Sequence, residues 1–568
     1  MKLFQWLKLL LLLLVFWTVI LIYFWNYSST IENTNYINVL EKLHNQINEL
    51  EQQYSNMLEF SNLFRELPII NENDAKNGLL RYKSTVEEML RRRTHTNLKE
   101  LLYVITAQFK NNLKSQELYQ DLEHRIFSLI ADVELISESN ISQTWRKLEL
   151  VKLSKLIQNR IEINQNPENC KSAQKLICNL NKGCGFGCQI HHVLYCLILA
   201  YSTQRTLILE SNTWRYGFKG WDFVFLPLSI NCTTYDKSQG LVNWGDQNMN
   251  KFENILVPIV DTISYRPLFL PQAIPLDVYD RLLNLHGDPF VWFSGQLLSY
   301  IMRLNNFMTS KLYAFNNGQF SSLRTIGPIV GVHIRRTDKV GTEAQFHSLS
   351  EYMFHVESYF RKEEIKINLK SQLDDLIKGT LKRRKTLKLK RQIILATDEP
   401  KIFKEMNDNY PQYQVIGNPD NSRTANIGNR YSQEALQAII IDTIYLSHTN
   451  FLVCTFSSQV CRIAYELMQS YILNSPSGDQ GNQFRSLDDI YYFGGQHPNS
   501  MVMIQNYQDN HSTFTLNMGD KINVMGNHWN GWSKGVSEKD NVGLFPTYKA
   551  QFIHRIVPMG AYNFSKNP

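Results

Sequence analysis

The stretch Gly331-Val332-His333-Ile334-Arg335-Arg336-Thr337-Asp338-Lys339-Val340-Gly341-Thr342-Glu343 decides the fold, because an apolar run ends there in alternating cations and carboxylates. The preceding residues, from Pro328 to Ile334, are rich in β-formers and predict a buried strand. Its charged continuation would emerge at the carboxyl end of that strand, where open α/β sheets bind ligands. Two adjacent arginines suggest a phosphate or carboxylate partner. On composition alone, a solvated loop with surface ion pairs is an equally good interpretation.

The chain from residue 170 onward alternates strand and helix patterns, which is typical of parallel α/β sheets. The predicted buried strands are Thr206–Leu209, Ile329–Ile334, Gln392–Ala396, Gln414–Ile416 and Phe451–Thr455, and a helix is predicted over Gln433–Ser447. Polar clusters follow three of these strands: His333–Glu343, Thr397–Glu399 and Ser457–Gln459. Because the carboxyl ends of parallel strands share one edge, we expect these clusters to converge on a single ligand.

His333–Glu343, with the following Phe346, His347 and Tyr352, closely resembles the signature of eukaryotic α1,6-fucosyltransferases. The resemblance extends over roughly residues 165 to 550, through Asn181–His192, Arg205–Glu210, Val453–Arg462 and Asn527–Trp529. It implies a Rossmann-like, GT-B-like catalytic region and an inverting enzyme of N-glycan core fucosylation. Such an enzyme moves L-fucose from GDP-β-L-fucose to O6 of the asparagine-linked GlcNAc.

The donor site is expected to hold the diphosphate without a metal or other cofactor. No D-x-D triplet occurs in the sequence, so the usual carboxylate clamp for a metal-bound diphosphate is missing. Arg335 can offer a planar fork to the β-phosphate, whereas Arg336 faces the other side by strand alternation. The Ser457–Gln459 segment precedes a predicted helix, whose N-terminal amides favour anions, although it could equally serve as a cap.

Two further features are interpreted as donor contacts. Glycine at alternate positions of Gly183–Gly187 would let the backbone approach a phosphate, a role that the resemblance favours. Asp442 could accept hydrogen bonds from guanine, although it could also be a helix-surface acid. The predicted donor-binding residues are His333, Arg335, Gly185, Cys188, Asp398, Asp442, Ser458 and Gln459.

The attacking sugar hydroxyl needs a base, and a positioned carboxylate contributes typically 10²–10⁴-fold. The resemblance gives this role to Glu343, so that the predicted catalytic residues are Glu343, Lys339 and Arg335. Asp338 and Asp398 are interpreted as orienting partners for the cations. The acceptor-binding residues that the resemblance implies are Asp261, Lys339, Glu343, Asp488, Asp489, Gln496 and His528.

Eight cysteines, six of them between Cys170 and Cys232, indicate disulfides formed in an oxidising compartment. Six clustered cysteines allow 15 pairings, and a zinc site is the competing interpretation. The family resemblance implies the pairs Cys170–Cys232, Cys178–Cys196, Cys184–Cys188 and Cys454–Cys461.

The N-terminus predicts a membrane anchor. Leu9–Trp25 is an uncharged apolar run of 17 residues, preceded by Lys2 and Lys8 and first followed by a charge at Glu32. We therefore predict a single-pass type II protein of the Golgi membrane with a lumenal catalytic region. Five glycosylation sequons are compatible with lumenal exposure, at Asn26, Asn140, Asn231, Asn510 and Asn563.

Apolar residues at helical spacing predict a coiled-coil stem before the catalytic region. One stripe contains Leu40, Leu43, Ile47, Leu50, Tyr54 and Met57, and a second contains Leu122, Ile126, Leu129, Val133 and Ile136. The stripes could pack on the catalytic region alone, but the resemblance implies a homodimer formed through the stem. Aromatic and glycine spacing after residue 498, including Gly519, Trp529 and Gly543–Tyr548, predicts an SH3-like barrel.

The predicted domains follow from these patterns. They are the cytosolic tail 1–8, the transmembrane signal anchor 9–25, the helical stem 26–165, a first α/β subdomain 166–325, a Rossmann-like donor subdomain 326–498 and the SH3-like domain 499–560.

The net charge of +7 is modest for 568 residues and is densest in Lys382–Arg391, which is best explained as a solvated loop. A nucleic-acid partner is not expected, because that would need a basic face with stacking aromatics. The expected partners are N-glycan acceptors and GDP-fucose. Two alternatives remain open: an inactive lumenal glycan-binding or scaffold protein on the same fold, and a fucosyltransferase acting on protein hydroxyls.

Overall fold

Helices and strands are mixed along the chain from Lys175 to Ser486, with three long helices before them and mainly strands after them. The computed structural model describes residues 79–109, 116–139, 141–217, 219–263, 265–315, 327–338, 340–341, 344–380, 385–425, 428–470, 483–494, 499–509 and 514–560. The described residues from Thr85 onward form one compact unit.

Twelve α-helices are defined in the described ranges. They are α1 Leu79–Phe109, α2 Gln116–Ser139, α3 Ile141–Gln165, α4 Phe186–Thr203, α5 Leu276–Leu285, α6 Pro289–Ile301, α7 Asn306–Ala314, α8 Leu349–Ile377, α9 Lys401–Asn409, α10 Pro419–Thr424, α11 Gln433–Ser447 and α12 Gln459–Ser470.

The strands of the same ranges build three main sheets. They are β1 Lys175–Asn179, β2 Thr206–Glu210, β3 Leu241–Asn243, β4 Asn254–Val257, β5 Ala273–Pro275, β6 Ile329–Ile334, β7 Gln392–Thr397, β8 Gln414–Ile416, β9 Phe451–Cys454, β10 Phe484–Ser486, β11 Ser500–Met503, β12 Tyr507–Gln508, β13 Thr515–Leu516, β14 Lys521–Asn527, β15 Trp532–Ser537, β16 Val542–Pro546, β17 Ala550–Ile553 and β18 Arg555–Val557.

The first two main sheets are entirely parallel, which confirms the predicted mixed α/β fold. The first has the order β2-β1-β4-β3 and the second has the order β10-β9-β6-β7-β8. In the second sheet β6 is central and every one of its six residues is buried. On one face of β6, Val330 and Val332 pack with Phe360 of α8. On the other face, Ile329 belongs to the core that contains Leu436 of α11. Burial on both faces explains why these strands read as continuous apolar runs.

The predicted SH3-like region contains a five-stranded antiparallel sheet in the order β16-β15-β14-β11-β17. Its own small core includes Met501, Leu516 and Phe545. The barrel classification and the domain boundaries stay predictions.

Helices α1 to α3 occupy the described part of the predicted stem. Ile126 of α2 packs with Ile105 of α1 and with Phe354 of α8, so one predicted stripe is used inside the chain. Leu129 and Ile136 of the same helix are exposed. Coiled-coil pairing with a second chain stays a prediction, and the stripe that begins at Leu40 lies outside the described residues.

The predicted location, a type II protein of the Golgi membrane, is wrong for the part of the chain that the structure describes. No helix in the described ranges is both long and apolar enough to cross a bilayer. The longest of them, α1, carries charged residues such as Glu88, Arg92 and Lys99, and charges of this kind are costly in hydrocarbon. The predicted tail 1–8 and anchor Leu9–Trp25 lie outside the described residues.

All eight cysteines are joined in disulfides. The pairs are Cys170–Cys232, Cys178–Cys196, Cys184–Cys188 and Cys454–Cys461, so the predicted connectivity is confirmed. His192 lies close to Cys178 and Cys196, but both sulfurs belong to a disulfide and so are not thiolates available to zinc.

Candidate active site

Asp398 ties together the carboxyl ends of β6 and β7. Its Oδ2 accepts hydrogen bonds from Arg335 Nη1 at 2.7 Å and from the backbone N–H of Thr337 at 2.9 Å. Its Oδ1 accepts the backbone N–H of Arg336 at 2.9 Å. The carboxylate therefore shapes the turn after β6 and holds the Arg335 side chain at the end of the sheet.

Arg335 is held by a second carboxylate, that of Asp338. Asp338 in turn accepts a hydrogen bond from Arg430 Nη2 at 2.8 Å. Burial tends to raise the pKa of Asp338, but the charges of Arg335 and Arg430 outweigh it and lower that pKa. A guanidinium carries five N–H donors. In Arg335, Nη1 uses one of them on Asp398 and Nη2 uses one on Asp338. The remaining donors of this preoriented cation suit a bidentate anionic ligand.

Arg336 has different partners and serves the loop before α8. Its Nη2 and Nε donate to the carbonyl oxygen of His347 at 2.7 and 3.1 Å. Its Nη1 lies 3.3 Å from Glu399 Oε2, and its guanidinium lies 4.6 Å from the centroid of the Phe346 ring. These contacts use the side chain inside the protein, as the alternation argument predicts.

The glycine segment before α4 abuts the N-terminus of α12. Gly185 precedes the first residue of α4 in an extended conformation, and a Cβ there would have no heavy atom within 4 Å. A Cβ on Gly187, in contrast, would lie 2.8 Å from the Cβ of Gln459. The disulfide Cys184–Cys188 closes the segment. The start of α4, between the predicted donor residues Gly185 and Cys188, therefore lies against the start of α12.

The turn between β9 and α12 carries Ser458, and Gln459 is the first residue of α12. Ser458 is buried, and its backbone N–H donates to the Thr455 carbonyl at 3.1 Å. The disulfide between Cys454 and Cys461 closes the turn. Backbone amides at the start of this twelve-residue helix add a second region of positive potential to the site.

Two packed aromatic side chains, Tyr216 and Tyr431, were missed by sequence reasoning. Tyr216 lies within range of the charges of Arg335 and Arg430. Tyr216 accepts the backbone N–H of Phe186 at 2.9 Å, and its ring lies 4.8 Å from that of Tyr431. Burial raises the pKa of Tyr216, while the charges of Arg430 and Arg335 act in the opposite direction. Tyr216, Arg430 and Tyr431 lie in turns without periodicity, so their sequence carried no signal.

Two predicted donor residues have strongly shifted acidities. His333 is 4% exposed, and its Nδ1 makes no hydrogen bond within the described ranges. Burial lowers the pKa of His333 to about 4, so the imidazole is neutral at pH 7 and can donate one hydrogen bond. Burial raises the pKa of Asp442 on α11 to about 7. A hydrogen bond of 2.7 Å from Asn421 lowers that pKa but does not offset the burial.

Asp488 connects the donor turn to the C-terminal sheet. Its carboxylate accepts the backbone N–H groups of Phe456 at 2.8 Å and Ser457 at 3.2 Å. Its carbonyl oxygen accepts the indole N–H of Trp529 at 2.8 Å. Asp489 follows it, and burial raises the pKa of that carboxyl. Two predicted acceptor residues thus lie beside the predicted donor turn.

Trp529, which follows His528, packs against α1. The Arg485 guanidinium lies 4.4 Å from the Trp529 ring and 4.3 Å from the ring of Tyr103, and the two rings pack edge to face. His528 itself is exposed and makes no side-chain hydrogen bond to a described residue. It is available to a ligand.

The other predicted acceptor residues have separate positions or none. Asp261 is 62% exposed and lies 2.8 Å from Lys182 Nζ. Lys339, Glu343 and Gln496 lie outside the described residues.

The fold and the site define an α/β protein with a cationic side chain, Arg335, held at the carboxyl ends of its parallel strands. Residues 1–492 match the family described as "Alpha-(1,6)-fucosyltransferase N- and catalytic domains". The chain belongs to this family. The resemblance noted in the sequence, and with it the expected α1,6-fucosyltransferase activity, is confirmed.

Two curated relatives share this name. The Drosophila melanogaster alpha-(1,6)-fucosyltransferase is 42% identical over 489 residues, which cover 82% of this chain and 72% of the relative. The Caenorhabditis elegans protein of the same name is 38% identical over 82% of this chain and 78% of its own length. Among solved structures, a mutant of Arabidopsis thaliana FUT1 in complex with GDP is 13% identical and covers 56% of this chain and 76% of its own, with a TM-score of 0.30.

Proposed function

We propose that the protein transfers L-fucose from GDP-β-L-fucose to O6 of the asparagine-linked GlcNAc of N-glycans, with inversion and without a metal. The family supplies the linkage and the class of sugar. The observation that carries the donor assignment is the Arg335 guanidinium, which Asp338 and Asp398 hold at the end of β6.

The donor is held by cations and amides in this proposal. Arg335 donates to the β-phosphate and stabilises the negative charge that grows on the leaving GDP. Neutral His333 donates a further hydrogen bond, and Ser458 and Gln459 contribute from the start of α12. The carboxylate of Asp442 accepts the guanine N–H groups. Gly185 and Cys188 complete the donor contacts from the opposite half.

Glu343 acts as the base. It takes the proton from the acceptor hydroxyl as that oxygen attacks the anomeric carbon of fucose and the bond to the β-phosphate oxygen breaks. Lys339, four positions earlier in the chain, supports the charged carboxylate and the acceptor. Inversion follows because the nucleophile and the leaving group occupy opposite sides of the anomeric carbon.

The acceptor glycan lies between Asp261 and the C-terminal sheet. Asp488, Asp489, Gln496 and His528 bind its hydroxyls, and residues 499–560 form an SH3-like domain that carries His528. The carboxylate contacts of Asp488 to the donor turn support a shared arrangement of both substrates.

We also propose a homodimer through the helical segment 26–165. The exposed apolar residues Leu118, Leu129 and Ile136 of α2 support this interface, because apolar side chains on one helix gain stability from a partner.

Transfer is tested with the purified full chain, GDP-fucose and a defined biantennary N-glycan, followed by linkage analysis of the product. We expect an α1,6-linked fucose on the innermost GlcNAc, formed equally in EDTA. A different linkage, transfer to protein hydroxyls or donor hydrolysis alone contradicts the proposed acceptor. Complete loss in EDTA that Mn²⁺ restores contradicts the metal-independent mechanism.

A further inference from the structure

We propose that His191 and Glu466 form a positioning pair that orients the side-chain amide of Gln459 toward the donor. The inference rests on the proposed function, in which Gln459 contacts GDP-fucose. Neither His191 nor Glu466 need touch the substrate, because both act through Gln459.

Gln459 is the first residue of α12 and is half-buried. Its Oε1 lies 2.9 Å from His191 Nδ1 on α4. Its Nε2 makes no hydrogen bond to any residue that the structure describes. The close approach of Gly187 limits where the side chain can go. One end of the amide is therefore occupied by the protein, and the other end is available to a ligand.

His191 is itself anchored by a buried carboxylate. Its Nε2 lies 3.1 Å from both Glu466 Oε1 and Glu466 Oε2. Glu466 is fully buried and also accepts the hydroxyl of Tyr491 at 2.6 Å. The His191 ring packs edge to face on Phe493. These contacts fix the plane of the imidazole, and buried polar groups satisfied in this way make a rigid unit.

Glu466 and Gln459 belong to the same helix and lie seven residues, or about two turns, apart, so they share one face. Glu466 of α12 thus contacts Nε2 of His191, and Gln459, the first residue of the same helix, contacts Nδ1. A carboxylate that orients a histidine, which in turn orients a ligand-binding group, is the logic of many metal and catalytic sites.

The orientation matters because a glutamine amide has an acceptor end and a donor end. In the form of His191 that is protonated on both ring nitrogens, Nε2 donates to the Glu466 carboxylate and Nδ1 donates to Oε1 of Gln459. The NH₂ group of Gln459 is then left to donate to a phosphate oxygen. Without this anchor the amide can rotate by half a turn. It would then present its oxygen to the phosphate, which replaces an attraction with a repulsion.

Two substitutions of His191 separate its two hydrogen bonds. In His191→Asn, the amide nitrogen is two bonds from Cβ, as Nδ1 is, and can still donate to Gln459. In His191→Gln, the amide nitrogen is three bonds from Cβ, as Nε2 is, and can reach only Glu466. Both variants lose one partner of a buried pair, so a purely structural role predicts similar effects for the two.

His286→Gln is the matched control. His286 is also fully buried, and its Nε2 lies 3.0 Å from Oε1 of Gln469, which is at the other end of α12. This variant disturbs a buried histidine–glutamine contact on the same helix, far from the start of α12.

Binding of GDP to the full chain is measured by calorimetry, together with the melting temperature. We expect affinity about tenfold weaker in His191→Gln, the loss of one hydrogen bond to a charged group. We expect His191→Asn and His286→Gln to stay within about threefold of the wild type. Gln459→Ala should weaken GDP by about tenfold, and adding His191→Gln to it should cause no further loss.

Three results would overturn the inference: unchanged affinity in His191→Gln, equal losses in His191→Gln and His191→Asn, or additive losses in the double variant. The transfer assay separates the proposed function from this inference. Suppose that the GDP affinities of the wild type, the two single variants and the double variant are non-additive, as expected, but the wild type transfers no fucose. The positioning pair is then supported and the proposed function is contradicted. If the wild type transfers fucose and the affinities are additive, the reverse holds.

Discussion

A Cβ atom on Gly187 would lie 2.8 Å from the Cβ of Gln459 and 3.0 Å from its carbonyl carbon. This contact joins the start of α4, in the first parallel-sheet half, to the start of α12 in the second. Only glycine permits the approach, because backbone atoms of α12 cannot move aside as a flexible side chain can.

Gly187→Ala should therefore separate the two halves at the donor site. Overpacking of this kind typically costs about 1–3 kcal/mol, so we expect a lower melting temperature and weaker GDP binding. Gly185→Ala is the control for stability, since a Cβ at Gly185 meets no atom within 4 Å. Equal melting temperatures for the two variants would contradict the steric argument.

Arg335→Lys should lower the transfer rate sharply although it keeps the charge. A lysine has a single nitrogen and cannot contact Asp338 and Asp398 while also presenting a fork to a phosphate. Loss of one preorganised charge contact typically costs about 2.7–4 kcal/mol in the transition state. Steady-state kinetics with GDP-fucose measure the effect. A fall below about threefold, under 1 kcal/mol, would indicate a structural arginine.

Asp442→Asn should change how stability depends on pH. Burial raises the pKa of Asp442 from its ordinary 3.8 to about 7 in the folded protein. Below pH 4 the carboxyl is protonated in both states; as pH rises to about 7, only the unfolded state releases the proton, so folding loses stability. We expect the free energy of unfolding, measured from pH 4 to 8, to fall less with rising pH in Asp442→Asn than in the wild type.

The same carboxyl should control GDP affinity. Only the ionised form accepts both guanine N–H groups, so wild-type affinity should rise with pH through about 7. The asparagine variant, which has one acceptor oxygen and no charge to gain, should bind GDP weakly with little dependence on pH. Wild-type affinity that is flat from pH 6 to 8 would exclude this role for Asp442.

Glu343→Gln should abolish transfer while leaving GDP binding near the wild-type value, because it removes a base and not a donor contact. Single-turnover transfer and calorimetry with GDP test the two halves of this statement. A variant that transfers at the wild-type rate would refute the assignment of the base.

His528→Ala should reduce transfer to a full N-glycan strongly and leave slow donor hydrolysis and GDP affinity nearly unchanged. A contact remote from the reacting bond mainly sets acceptor binding and orientation. His528 is exposed, so the melting temperature should not change. Trp529→Ala is the contrasting variant, since it removes the ring packed against Arg485 and should lower the melting temperature. Equal loss of transfer and hydrolysis in His528→Ala would contradict an acceptor role.

Strands of the second parallel sheet were predictable because their signal is local. Ile329–Ile334 and Gln414–Ile416 form strands with the predicted bounds, and Gln433–Ser447 is a helix as predicted. Two strands of the first sheet, β1 and β4, gave no such signal. Each is short and begins with a buried polar residue, Lys175 or Asn254. Their apolar runs, Leu176–Cys178 and Ile255–Val257, are only three residues long, shorter than the runs of about four to eight by which a buried strand is identified.

The sequence by itself determined the polar ends of β6, β7 and β9, the family and the cysteine partners that the family implied. These depend on short motifs and on alternation along a strand. Only the tertiary structure decided what surrounds Arg335 and Gln459. Tyr216 and Arg430 come from irregular turns, and His191 contacts Gln459 across 268 positions of the chain. Contacts of this range depend on how buried elements pack, and packing leaves no periodic trace in the residues that make them.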